Sequence, residues 1–150
     1  MPGGRARREE SGLGVKVTKR PSGPPAEALR AALALAKTFG AEIQSISIKE
    51  RPSHYAETVG EVMEDQEEAD RFFARVTAEA KATATQDGLD LKCTVLPGHE
   101  VETIIRFARD GGFDLLVVGF MGHSRAFGRI WGGTSQNLVK TSPCSVLVAK

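Results

Sequence analysis

The sequence predicts an α/β fold, a parallel sheet with helices on both faces. Three observations predict it. Strand-like and helix-like segments alternate along the chain up to a fifth strand. Parallel neighbours need such crossover helices, and the crossovers are right-handed. The run Leu115-Leu116-Val117-Val118 is continuously apolar, as suits a strand buried on both faces. A glycine-rich stretch, Gly119 to Gly133, follows that strand directly. In sheets of this kind, ligands bind beyond the carboxyl ends of strands, where the winding direction reverses.

The elements follow in order. Val15 to Lys19 is expected as the first strand, although Lys16 and Lys19 interrupt its apolar pattern. Ser22 can cap a helix whose first turn tolerates Pro24 and Pro25. Leu29, Ala32, Leu33, Ala36 and Phe39 then recur at helical spacing, and Gly40 stops the helix. Ile43 to Ile48 reads as the second strand. The longest periodic segment carries a stripe of Val59, Val62, Met63, Gln66, Ala69, Phe72, Phe73, Val76 and Ala80, ended by Asp87-Gly88. Leu91 to Leu96 is the third strand, and Pro97-Gly98 turns the chain. Val101, Ile104, Ile105 and Ala108 mark a third helix, stopped by Gly111-Gly112. Phe113 to Val118 is the fourth strand. A short helix from Thr134 to about Lys140 precedes Ser142-Pro143, and Cys144 to Ala149 closes the chain as the fifth strand.

Composition narrows the function. The chain has 150 residues, and its hydrophobic residues (41%) with its 16 glycines make roughly half apolar, ordinary for one globular domain. The longest apolar run, Leu115 to Gly122, is far short of the roughly 18 residues of a membrane span. No secretory signal is read at the amino end, so a cytoplasmic protein is expected. Two cysteines, Cys93 and Cys144, make neither a disulfide framework nor a metal cage. A net charge of +1 argues against nucleic acid as the main partner. Charge is uneven, however. Residues 1–20 hold six basic and two acidic side chains, while residues 50–79 hold nine acidic side chains and three arginines. Residues 1–14 are expected to be a disordered tail, and residues 15–150 the folded domain. The acidic block lies on a helical pattern and reads as a solvent face.

The glycine-rich stretch is the most informative feature. Its glycines let a ligand approach the backbone closely. The first amides of the helix after it, with the helix dipole, favour an anion. Thr134 and Ser135 add hydroxyl donors, and His123 stands beside the loop. Several charge-assisted contacts of about 1.5–3 kcal/mol each would reach the roughly 8 kcal/mol of a micromolar site. The stretch lacks Gly-Lys-Ser/Thr, so it is not a P-loop, and it is not the first strand–helix turn of a dinucleotide fold. His54, His99 and His123 are scattered over loops, and no carboxylate pair, metal spacing or nucleophile–base pair emerges. Glu100 reads as an acid in the first turn of its own helix. The chain is therefore expected to bind rather than catalyse.

Phe113-Asp-Leu-Leu-Val-Val-Gly119, the Gly-x2-Gly-x9-Gly spacing at Gly119, Gly122 and Gly132, and the ending Ser142-Pro-Cys-Ser-Val-Leu-Val148 resemble the universal stress protein family. Ala28 to Ala36 with Gly40-Ala-Glu-Ile43 resembles its first helix and second strand. The resemblance covers about residues 15–150. It implies a five-stranded Rossmann-like sheet in the order 3-2-1-4-5, of the adenine nucleotide alpha hydrolase-like kind. It also implies a homodimer pairing through the last strand and, in one branch, ATP or AMP in the crevice. Thr18, Lys19, Arg20 and Ile48 would then line the base and ribose side. Gly119, Met121, Gly122, Gly132, Gly133 and Thr134 would line the phosphate side. Two positions depart from the nucleotide-binding pattern. Gly133 stands where a Ser or Thr follows the last glycine, and Arg20 stands where the first strand ends in Asp. These departures weaken nucleotide binding and leave open an alternative, a nucleotide-free module that docks on a partner protein. No metal is required.

Overall fold

A computed structural model describes residues 12–16, 26–49, 59–119 and 133–150. The element order is β1 (Gly12–Lys16), α1 (Ala26–Phe39), β2 (Glu42–Lys49), α2 (Val59–Gln86), β3 (Leu91–Pro97), α3 (Glu100–Asp110), β4 (Leu115–Gly119), α4 (Gly133–Thr141) and β5 (Ser145–Ala149). The strands form one sheet in the order β3-β2-β1-β4-β5. Every neighbouring pair is parallel.

The sheet divides two apolar clusters. On one face α1 and α2 pack on it, joining Leu29, Leu33, Ala80 and Ala84 to Ile43, Leu91 and Val117. Ser45 and Ser47 are buried on β2, where small side chains take little depth. On the other face α3 and α4 pack on it, joining Ile104 and Leu138 to Ile46, Ile48, Leu116 and Val118. Alternate residues of β4 thus feed opposite clusters, which is why its sequence is apolar without interruption.

Three expectations change. The first strand is described from Gly12 to Lys16, so it starts three residues before the expected Val15 and takes in residues 12–14 of the expected disordered tail, while residues 17–19 lie outside the described residues. Gly12, Leu13 and Gly14 read poorly as strand by propensity. They sit between two neighbours, pairing Leu13 with both Ile43 and Leu115, and ladders on both sides override propensity. Residues 1–11 lie outside the described residues. Second, among the described side chains of the α2 stripe, full burial begins at Phe73. Met63 is 59% exposed, because β3 is too short to reach it. Third, the fourth strand starts at Leu115, with Phe113 instead buried and stacked on Phe107 of α3 at 5.3 Å.

Two glycines are structurally required. Gly98, between β3 and α3, has φ of +140°, and a Cβ there would stand 2.7 Å from Thr103 Oγ1. At Gly111, after α3, a Cβ would stand 2.4 Å from the Phe113 ring. No helix among the described residues is long and apolar enough to cross a membrane.

Candidate functional site at the sheet's switch point

From β1 the chain winds outward through β2 to β3, then returns to β4 on the other side of β1 and continues to β5. The winding direction therefore reverses between β1 and β4, and in sheets of this kind ligands bind beyond the carboxyl ends at that point. Gly119 ends β4, and Gly133 begins α4. The glycine-rich stretch between them leaves and re-enters the fold at this point.

The two ends of that stretch are tied together. Ser135, buried in the first turn of α4, donates from Oγ to the Gly119 carbonyl at 3.0 Å. Thr134 donates from Oγ1 to Glu100 Oε2 at 2.9 Å, which links the amino ends of α4 and α3. Nearby, Lys49 at the end of β2 pairs with Asp70 of α2 through Nζ and Oδ1 at 2.6 Å. The Lys49 carbonyl accepts from the Gly98 amide at 3.2 Å. The carboxyl end of the sheet is thus cross-tied from three sides.

The expected site residues fare differently. Gly119, Gly133, Thr134 and Ser135 come together at the crevice. Thr134 and Ser135 were expected as hydroxyl donors to an anion. Each has one hydroxyl proton and directs it to a protein oxygen instead. Ser135 thereby ties the ends of the stretch, and Thr134 ties α4 to α3. Ile48 is 4% exposed and packs in the cluster with Leu116 and Leu138. Thr18, Lys19, Arg20, Met121, Gly122, His123 and Gly132 lie outside the described residues.

The first amides of α4 lack intrahelical partners, as in any helix. Among the described residues, nothing stands within 4 Å of a Cβ built on Gly133. The turn offers no free hydroxyl among Thr134 and Ser135.

Glu100 and Lys49 are the residues the sequence reading missed at this end of the sheet. Glu100 was read only against its own helix dipole. The available signal was position: β3 also ends here, so the residues after Pro97-Gly98 arrive at the same mouth.

Among the described residues no group of three His, Cys, Asp or Glu could hold a metal. Cys93 and Cys144 are free thiols, each half-buried. Burial pushes the Cys93 thiol above its ordinary pKa, against smaller opposing effects from Lys81 and a hydrogen bond with Ser45. A separate cavity of about 360 Å³ lies between α3 and the edge strand β3, with Gln44, Lys92, Arg106 and Phe107 among its lining. It lies toward the amino end of the strands and is not the crevice.

A doubly wound parallel sheet with a glycine-rich crossing after β4 defines an α/β protein with its binding crevice at the strand ends. The sequence profile of the Universal stress protein family matches residues 17–150, and the chain belongs to that family. The Universal stress protein Slr1230 of Synechocystis sp. is 32% identical over 68 residues, which span 45% of this chain and 24% of that protein. The structure of universal stress protein UspA from Lactobacillus plantarum superposes with a TM-score of 0.76 at 20% identity, covering 95% of this chain and 100% of that one. A universal stress protein family structure from Arabidopsis thaliana with AMP bound gives a TM-score of 0.61 at 16% identity, covering 92% and 91%. Structures of a universal stress protein in complex with cAMP, and of one from Archaeoglobus fulgidus with dAMP, are similar at TM-scores of 0.63 and 0.61. At such identities these likenesses concern the fold alone.

Proposed function

We propose that this chain is a stress-response regulator that binds an adenine nucleotide, ATP or AMP, in the crevice between β1 and β4, and that it works as a cytoplasmic homodimer. The observation that carries the reading is the tie between Ser135 and Gly119. It holds both ends of the glycine-rich stretch at the switch point, so backbone amides of that stretch and of α4 can converge on one anionic group. Similar structures holding cAMP, dAMP and AMP support adenine nucleotides as the ligand class. In this reading Gly119, Met121, Gly122, His123, Gly132 and Gly133 line the phosphate side, and Thr18, Lys19 and Arg20 the base and ribose side. The protein binds and switches rather than turning over a substrate. Isothermal titration with AMP, ADP and ATP tests it. Saturable heat with a matching rise in melting temperature supports it, and no response at millimolar nucleotide removes it.

A second reading has its own observation. Residues 63–70 of α2 are almost all exposed and carry Glu64, Asp65, Glu67, Glu68 and Asp70 with no basic residue. A basic partner protein could dock there without nucleotide. Reversing the charges of Glu61, Glu64 and Glu68 would abolish capture of such a partner, and capture that survives the change excludes this face.

A further inference from the structure

The cavity between α3 and β3 stands apart from the site at the switch point. α3 presents one stripe to it, Thr103, Arg106, Phe107 and Asp110, at the i, i+3, i+4 and i+7 spacing of a single helix face. The strands present Gln44 and Lys92, which are register partners, and Leu96 further along β3. Phe113, stacked on Phe107 at 5.3 Å, completes the apolar part. The volume, about 360 Å³, falls in the range of small-ligand sites.

Its polar side chains lack partners among the described residues. Thr103 is 2% exposed, and its hydroxyl bonds to no described residue. No sealed polar side-chain atom among these residues lacks a partner, so this oxygen is reached from the cavity that Thr103 lines. Arg106 has no ion pair among the described residues, not even with Asp110 one turn on. α3 runs back from the carboxyl end of β3, so Thr103 stands toward Leu96 and Asp110 toward Lys92. Lys92 and Asp110 balance each other in charge at one end. Arg106, one turn from Thr103, is left as the surplus cation.

We propose that this cavity is a second binding site, for a small aromatic monocarboxylate, separate from the nucleotide crevice. The Arg106 guanidinium and the Thr103 hydroxyl hold the carboxylate, and the ring lies on Leu96, Phe107 and Phe113. A planar guanidinium matches a carboxylate in shape, and the charge-assisted bonds are stronger than neutral ones. Ring-on-ring contact adds to the burial of apolar area. Other ligand classes fit less well. A cation meets Arg106 with like charge, and a neutral ring leaves Arg106 unpaired. A phosphate dianion exceeds the one surplus charge and is repelled by Asp110 and by the negative end of α3.

Isothermal titration of the full chain with naphthoate tests the site, with naphthamide as the neutral isostere and naphthyl phosphate as the dianion. Naphthoate should bind with a Kd at or below about 1 mM, and the other two at least about fivefold more weakly. Arg106 is exposed, so Arg106→Gln leaves the core intact. It should weaken naphthoate about tenfold and change naphthamide less than about twofold. Thr103→Val keeps the buried shape and should weaken naphthoate about threefold. In two-dimensional NMR, naphthoate should shift the amides of Lys92, Arg106 and Phe107 and leave those of Thr134 and Ser135 in place. No saturable binding of naphthoate at about 5 mM overturns the proposal. Equal affinity for naphthoate and naphthamide does the same, as do shifts confined to other parts of the molecule. The ranking of the three probes and the shift map need no variant, so a misfolded variant does not protect the proposal. No nucleotide enters the experiment, so its failure leaves the reading of the switch point untouched.

Discussion

Among the described residues nothing stands within 4 Å of a Cβ built on Gly133, and its backbone lies outside the left-handed region that disfavours side chains. Gly133→Ser would thus place a hydroxyl at the start of α4 without a clash. If a phosphate docks there, one added hydrogen bond is worth about 1 kcal/mol, so AMP should bind roughly three- to tenfold more tightly by titration. An unchanged affinity would mean that the phosphate, if bound, does not reach this turn. Cys93 supports a pH prediction. Burial raises its thiol pKa in the folded state, so the folded protein holds that proton longer than the unfolded chain does. Its contribution to stability is intact below the ordinary thiol pKa and is lost as pH rises through the raised folded value. Urea midpoints of Cys93→Ala should therefore fall less between neutral and alkaline pH than those of the unmodified protein.

Elements differ in how much holds them. α4 is only nine residues long, too short to persist alone, so packing keeps it. Its anchor is Leu138, 1% exposed among Ile48, Ile104 and Leu116. Leu138→Ala should cost about 2–5 kcal/mol in denaturant unfolding. It should also weaken nucleotide binding, because α4 carries one end of the glycine-rich stretch. The same packing logic governs what the sequence disclosed. α1, α3 and β4 were legible because their apolar spacing records which face is covered. β1 starts three residues earlier than its sequence suggests because a central strand is held by hydrogen bonds on both edges, and Gly12-Leu13-Gly14 carries no side-chain record of that. The α2 stripe overstated burial, since spacing marks a face but not where the neighbouring strand stops. At the site, the glycines and the start of α4 were legible. The partners of Thr134 and Ser135 were not, because residues 34 and 16 positions away in sequence supply the acceptors.

At the scale of the whole molecule, the sheet has two unlike edges. β3 packs against α2 and carries Lys92 beside Val95 at 39% exposure, whereas β5, Ser145–Ala149, presents Leu147 at 37% and has no charged side chain. An apolar outer strand of this kind calls for pairing. Sedimentation at tens of micromolar should give a dimer for the unmodified chain and a monomer for Leu147→Lys, with the nucleotide response of each subunit retained. Finally, α2 has 28 residues and so runs about 42 Å, while β3 beneath it, with seven, covers only about 23 Å. One rod thus has two unequal halves. Its inner half shares the protection of the core, whereas the outer half depends mainly on its own hydrogen bonds. Deuterium should enter the amides of residues 63–70 far faster than those of residues 76–84, and limited proteolysis should nick the former first.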